Sequence, residues 1–184
     1  MIYDFIINDP NISKEQKQKE MEYKKYVDTH IKNVQEAWGK MQNIPSIVDF
    51  ACVEGGIMHS TLIPLMDMYI SQHDASKYGL DEWEAYRMTY HSVDNAEKES
   101  AAGIYEVALK HHYMNNTHHP EFWEFRKNDM DIPAVLEFCC DLIGMSMAKG
   151  GTALEYLNKV FDKKKLGENQ CEWAEFILKE YYKE

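Results

Sequence analysis

Proline, glycine and arginine are scarce in this chain, and it has no long apolar run. Five prolines and nine glycines interrupt 184 residues. No segment alternates apolar and polar residues at the two-residue period of a half-buried strand, so the pattern excludes a β-rich fold and favours helices almost throughout. The longest apolar stretches are too short to span a bilayer, and the first ten residues lack the basic start and apolar core of a signal peptide.

The cysteines and the charge narrow the class of protein further. The four cysteines form no CxxC pair, so the sequence predicts neither a zinc finger nor a disulfide framework, and adjacent Cys139 and Cys140 are typical of core residues. The net charge of −11 disfavours nucleic acid and anionic membranes as partners. With 45% hydrophobic residues, residues 1–184 are expected to form one cytoplasmic domain.

Helical periodicity predicts a single all-α domain of about seven or eight helices. A capping box is expected at Asp81 and Glu84, and Asp131 is expected to cap a later helix that has Pro133 in its first turn. Residues 115–120 are expected to be a loop. The predicted helices cover about residues 13–41, 46–53, 57–72 and 95–113, and further helices follow Asp81, Asp131, Thr152 and Asn169.

Several histidines and acids fall on the apolar faces of these helices. His30, His73 and His111 each follow apolar residues at helical steps of three, four or seven. Asp141 also lies on an apolar stripe, where a carboxylate is costly to bury without a cation. With Asp74, which follows His73, these residues make a ligand set suited to a divalent metal. The alternatives are a hydrogen-bonded core histidine at His30 and a capping or arginine-pairing role for Asp141.

The order His30, His73-Asp74, Asp141 resembles the H…HD…D signature of the HD-domain superfamily. Members of that superfamily are all-helical and mostly metal-dependent phosphohydrolases. The segment HDASK resembles their HDxGK motif, with serine in place of glycine. Together with HHYMNNTHHPEFW and LEFCCDLIGMS, it resembles a family of small uncharacterised HD-like proteins of phages and bacteria. The resemblance covers residues 26–150, and C-terminal helices are expected over 152–183.

The resemblance implies an HD-like helical bundle that binds one or two divalent transition metal ions, such as manganese, iron, cobalt, nickel or zinc. His30, His73, Asp74 and Asp141 would be the ligands of the first ion. Multi-metal HD proteins carry extra histidines between the HD dipeptide and the final aspartate. The remaining candidates lie in that interval as two adjacent pairs, closer together than such relatives usually have them: His111 and His112, then His118 and His119.

One histidine of each pair would then complete a second metal site, with Asp74 bridging the two ions. The alternative is a loop in which one of these histidines contacts a substrate phosphate or stacks on Trp123.

The function implied by the resemblance is hydrolysis of a small phosphate ester, with a nucleotide as the expected substrate. Asp74 would hold the metal and orient its water, and Lys77, three residues later, would bind the phosphate. A solvated surface lysine is the alternative for Lys77. Two other functions stay open: a di-iron oxygenase and a non-catalytic metal- or nucleotide-binding module. A small phosphate substrate is the expected partner, and a homodimer is allowed.

Overall fold

All regular structure in the described part of the chain, residues 2–159 and 165–183 of a computed structural model, is helical. The all-α class is therefore confirmed. A short 3-10 helix, Ala75–Tyr78, lies between the fourth and fifth α-helices. The α-helices in these ranges are α1 (Ile2–Ile7), α2 (Lys14–Met41), α3 (Pro45–Gly55), α4 (His59–Gln72), α5 (Trp83–Tyr90), α6 (Asn95–Asn115), α7 (Pro120–Arg126), α8 (Ile132–Lys149), α9 (Ala153–Lys159) and α10 (Glu168–Tyr181).

These ten helices exceed the predicted seven or eight because α1 and α7 were not predicted. Residues 160–164, inside the predicted C-terminal helices 152–183, lie outside the described residues. Within the described residues, no helix is both long and apolar enough to cross a bilayer.

The chain divides into two compact units, each made of two segments. Unit 1 comprises Met1–Thr29 and Asp74–Asn116, and unit 2 comprises His30–His73 and Thr117–Glu184. Helix α2 begins in unit 1 and continues into unit 2, and the chain returns to unit 1 at the peptide bond between His73 and Asp74. The single domain over residues 1–184 stays a prediction.

Helix α8 forms the centre of unit 2. It packs against α3, α4, α9 and α10, and nearly every residue of its first thirteen is buried. The Asp131 side chain accepts a hydrogen bond from the Ala134 amide, which confirms the predicted cap. Cys139 and Cys140 are fully buried in this core, as their positions in the helical pattern predicted.

Unit 1 contains a buried ionic network between α2, α5 and α6. The Arg87 side chain, 1% exposed, donates to both carboxylate oxygens of Glu97 at 2.9 and 2.6 Å, and its Nε lies 2.9 Å from Glu20 Oε1. The Trp83 indole donates to Glu20 Oε2 at 2.6 Å. These contacts satisfy charges that would otherwise be costly to bury.

The predicted capping box at Asp81 and Glu84 is wrong. Helix α5 has Glu82 at its N-cap, without a side-chain capping bond, and the Asp81 side chain is 73% exposed. The Glu82 carboxylate is instead bonded to two histidines of α6. The sequence pattern located the start of α5 but did not show that Glu82 binds histidines of α6 instead of capping the helix.

Candidate metal centre

Three predicted ligands converge in unit 2. His30 Nε2 lies 3.0 Å from Asp141 Oδ1, and His73 Nε2 lies 3.3 Å from His30 Nε2 and 3.7 Å from Asp141 Oδ1. These side chains come from α2, from the residue after α4 and from α8, respectively. Both histidines are buried, and the Asp141 side chain is 18% exposed. Unit 2 thus brings together His30, His73 and Asp141, three of the four residues predicted to bind the first ion, and their ligation of a metal stays a prediction.

The spacing of these three atoms fits a metal ion. Imidazole nitrogens and carboxylate oxygens bind zinc at about 2.0–2.2 Å, so two ligands of a tetrahedral site lie roughly 3.4 Å apart. The observed separations of 3.0, 3.3 and 3.7 Å bracket that value. Two buried imidazole nitrogens at 3.3 Å also cannot both carry protons without repulsion, whereas both can donate lone pairs to one cation. This group can therefore hold a metal ion.

Glu137 connects His73 to a fourth residue, His118. One of its oxygens, Oε1, lies 2.9 Å from His73 Nδ1 and 3.1 Å from His118 Nδ1. The Thr117 hydroxyl donates to Oε2 at 3.2 Å. The rings of His73 and His118 are tilted by 38°, with centroids 4.3 Å apart, and the ring centroid of His119 lies 4.2 Å from that of His118. All of these residues belong to unit 2.

Both carboxylates of this cluster favour the ionised state. Burial alone would raise the pKa of Asp141, but the hydrogen bond from His30 and the nearby imidazoles of His118 and His73 outweigh it and lower the pKa. Burial likewise opposes ionisation of Glu137, and hydrogen bonds from His118 and His73 lower its pKa to about 2. Unit 2 thus presents a partly enclosed set of imidazoles with two negative charges.

Asp74 and Lys77, the predicted catalytic residues, contact each other in unit 1. The Lys77 ammonium lies 2.5 Å from Asp74 Oδ2, and its side chain is 15% exposed. Asp74 has φ 56°, in the left-handed region that few residues other than glycine adopt, and it is the N-cap residue of the 3-10 helix. Aspartate is among the residues that tolerate this conformation best, which lets the chain turn sharply directly after His73.

The first histidine pair differs from the prediction in its orientation. His112, not His111, is the buried member: its Nδ1 lies 2.9 Å from Glu82 Oε2 and its Nε2 lies 3.3 Å from Asp74 Oδ1. His111 is 37% exposed and bonds to the other Glu82 oxygen at 2.8 Å. The inward direction predicted for His111 is wrong because the apolar residues used to set the helical phase include Val107, which is 70% exposed.

The predicted site residues of unit 2 lie together: His30, His73, His118, His119 and Asp141. Those of unit 1 also lie together: Asp74, Lys77, His111 and His112. The ligation of a metal by Asp74 and by either histidine pair stays a prediction. The arginine-pairing alternative for Asp141 receives no support, since Arg87 bonds Glu20 and Glu97 and Arg126 donates to a backbone carbonyl.

Sequence reasoning missed two acids, Glu82 and Glu137. Each accepts hydrogen bonds from two histidines of its own unit. The signal for Glu137 was present, since it lies four residues before Asp141 in an otherwise apolar helix. Residues four apart share one helix face, so the spacing placed a second acid beside the first.

Comparison with known proteins assigns a family without a function. The model of a family described as "Family of unknown function (DUF5662)" matches residues 19–180, a range that includes every candidate ligand. Searches of curated proteins and of solved structures found no match.

Proposed function

The chain belongs to the DUF5662 family, and we propose that it is a metal-dependent phosphohydrolase whose ion is held in unit 2 by His30, His73 and Asp141. The substrate is a small phosphate ester, with a nucleotide as the first class to test. The observation that carries this proposal is the approach of two imidazole nitrogens and one carboxylate oxygen to within 3.0–3.7 Å of one another. The resemblance to HD-domain proteins supplies the reaction type.

The donor atoms favour a divalent transition metal, because imidazole and carboxylate suit manganese, iron, cobalt, nickel and zinc better than they suit calcium. When bound, such an ion would activate a water molecule for attack and neutralise charge on the phosphoryl oxygens. These three protein ligands leave coordination positions open for water, for substrate or for the further ligands that the resemblance implies.

The charges of the chain's own residues support an anionic substrate at this position. His30 and His73 are neutral when they act as ligands, so Asp141 contributes the one negative charge of the set. A divalent ion therefore leaves one positive charge on this ligand set, which the ionised Glu137 carboxylate, bonded to His73, offsets in part, on a protein whose net charge is −11. The Asp141 side chain is 18% exposed, whereas those of His30 and His73 are 5% and 0% exposed.

The resemblance implies that Asp74 is a metal ligand and that Lys77 binds the phosphate, and both roles are kept as predictions. Their ion pair in unit 1 holds the Lys77 ammonium against the Asp74 carboxylate. Lys77→Ala is therefore expected to leave metal content intact and to raise KM more than it lowers kcat, since an ammonium contributes to binding of the phosphate.

The test is a phosphatase screen on protein purified without chelator. Nucleoside monophosphates and an aryl phosphate are assayed with manganese, iron, cobalt, nickel, zinc and magnesium, and metal content is measured by mass spectrometry. His73→Ala should lose both metal and phosphate release. His59→Ala removes an exposed imidazole of the same unit and should change neither, which makes it the matched control.

Two outcomes would replace the proposal. Dioxygen consumption by the ferrous protein, without phosphate release above that of His73→Ala, would indicate an oxygenase. Metal binding with neither activity across the panel would indicate a binding module.

A further inference from the structure

Glu137 has an arrangement of contacts that the metal site alone does not explain. It is 4% exposed, lies one helical turn before Asp141 on α8, and receives three hydrogen-bonding groups of unit 2. Two of them, His73 Nδ1 and His118 Nδ1, approach the same oxygen at 2.9 and 3.1 Å. The third, the Thr117 hydroxyl, approaches the other oxygen at 3.2 Å.

We propose that Glu137 is a positioning residue that holds His73 and His118 in one tautomer, with Nδ1 protonated, so that both Nε2 atoms are unprotonated and can bind the metal. This inference rests on the metal site proposed above, but not on the reaction that the site carries out. It also selects His118 over His119 as the ligand from the second histidine pair, because His118 is the one that Glu137 holds.

The tautomer follows from the chemistry of the carboxylate. An ionised carboxylate can only accept hydrogen bonds, so each Nδ1 that lies within bonding distance must carry a proton. A neutral imidazole has one N–H, and its other nitrogen, Nε2, is then a lone-pair donor. Within an imidazole ring the Nε2 lone pair points away from the Nδ1–H, so the Nε2 atom of each residue is directed away from Glu137.

A competing arrangement would place the metal on Glu137 itself, since His73, His118 and Glu137 together also form a ligand group. The Nε2 side of His73 argues against it. That nitrogen lies 3.3 Å from His30 Nε2 and 3.7 Å from Asp141 Oδ1, so the ring already directs Nε2 toward two other candidate ligand atoms. A metal-bound histidine typically donates its second N–H to a carboxylate, which is the position that Glu137 occupies.

Glu137→Gln tests the proposal because it keeps the size of the side chain and changes its hydrogen bonding. An amide can donate as well as accept, so it permits the tautomer that carries its proton on Nε2, which cannot bind a metal. Losing such a partner typically weakens metal affinity about 10–100-fold. Asp67→Asn makes the same acid-to-amide change in unit 2, at an exposed residue bonded to Trp38, and is the matched control.

The first measurement is made on metal-free protein with ¹⁵N-labelled histidine, at a pH where the imidazoles are neutral. Long-range ¹H–¹⁵N spectra report which ring nitrogen carries the proton, and His73→Ala and His118→Ala assign the signals. We expect Nδ1–H at both residues in the wild type and in Asp67→Asn, and a shift toward Nε2–H in Glu137→Gln. Nε2–H at either residue in the wild type would overturn the proposal, and this measurement needs no variant at Glu137.

The second measurement is metal affinity, by competition with a chromophoric chelator. We expect affinity to fall about 10–100-fold in Glu137→Gln, to recover in part in Glu137→Asp, which restores a carboxylate, and to stay unchanged in Asp67→Asn. Wild-type affinity in a folded Glu137→Gln protein would refute the positioning role. Metal binding without phosphate release would overturn the reaction proposed above and leave this inference standing.

Discussion

Gly144→Ala should loosen the metal site from a distance, by separating the two helices that carry His30 and Asp141. Gly144 lies three residues after Asp141 on α8, where a Cβ atom would be 2.8 Å from Val34 Cγ2 and 3.1 Å from the Val34 backbone nitrogen. Val34 in turn lies one helical turn after His30 on α2. The close contact between Gly144 and Val34 therefore lies about one helical turn from His30 and Asp141, whose side-chain atoms approach to 3.0 Å.

The size of the effect follows from these distances. Non-bonded carbon atoms prefer about 3.5–4.0 Å, so an added methyl group must displace Val34 by roughly 0.7–1.2 Å. Val34 has a stiff, β-branched side chain and cannot rotate away freely. Overpacking of this kind costs about 1–3 kcal/mol, while alanine in place of a helical glycine returns about 0.5–1 kcal/mol.

Gly39→Ala separates these two contributions. Gly39 lies on the same helix as Val34, is exposed, and has nothing within 4 Å of an added Cβ. Gly39→Ala should therefore show only the increase in the free energy of unfolding that alanine brings to a helix. The difference in free energy of unfolding between Gly39→Ala and Gly144→Ala should equal the cost of overpacking at Gly144. That cost of about 1–3 kcal/mol corresponds to roughly 2–12 °C in Tm for a chain of this length.

Two assays decide the outcome, denaturant unfolding and metal affinity. Gly144→Ala should unfold at a lower denaturant concentration than Gly39→Ala. It should also bind metal about 10-fold more weakly, because metal sites tolerate displacements of only about 0.5 Å. Equal stabilisation of both variants, or an unchanged metal affinity in Gly144→Ala, would show that the close approach of α2 and α8 does not hold the site.

Three further results are expected. Chelation should lower the Tm by roughly 5–10 °C in calorimetry, because an ion at about one hundred times its Kd adds about 2.7 kcal/mol to the free energy of unfolding; an unchanged Tm after verified removal would argue against the site. Arg87→Met should cost about 3–5 kcal/mol in urea unfolding, since it leaves the buried Glu20 and its neighbour Glu97 without their cation; adding Glu20→Gln should recover part of that loss. Hydrogen bonds from Arg87 lower the pKa of Glu97 in the folded protein. The contribution of Glu97 to stability should therefore be complete above the ordinary carboxyl pKa of 4.5 and be lost as the pH falls through the lowered pKa. In unfolding experiments at a series of pH values, Glu97→Gln should lose less free energy of unfolding in acid than the wild type.

The long helices could be predicted from sequence because their apolar faces repeat over many turns. Helix α2 and the capped start of α8 were predicted within a residue or two of the observed bounds. Helices α1 and α7 have six and seven residues, too few to establish a period, and neither was predicted. Pro120 was assigned to a loop although it begins α7, where a proline at the first helical position is well tolerated.

The site was predictable to the extent that its residues lie on buried helix faces. His30, His73 and Asp141 satisfied that condition, and the structure brings them together. His111 does not lie on a buried face. Its inward direction was inferred from Ile104 and Val107, but both of these apolar residues are exposed, so the buried face of α6 carries His112 instead. The four-residue spacing placed Glu137 on the same helix face as Asp141, but it could not show the role of Glu137, because the partners His118 and His73 lie 19 and 64 positions away.

The separation of the donors along the chain also determines when the metal site can exist during folding. Residues 30 and 141 are 111 positions apart, and His73 meets Glu137 across 64 positions. Contacts of such high sequence separation form only after large loops have closed, so an early, partly folded chain has no donor set to offer an ion. A bound ion would therefore stabilise interactions that form late, and its kinetic effect should lie mainly in slower unfolding rather than faster folding.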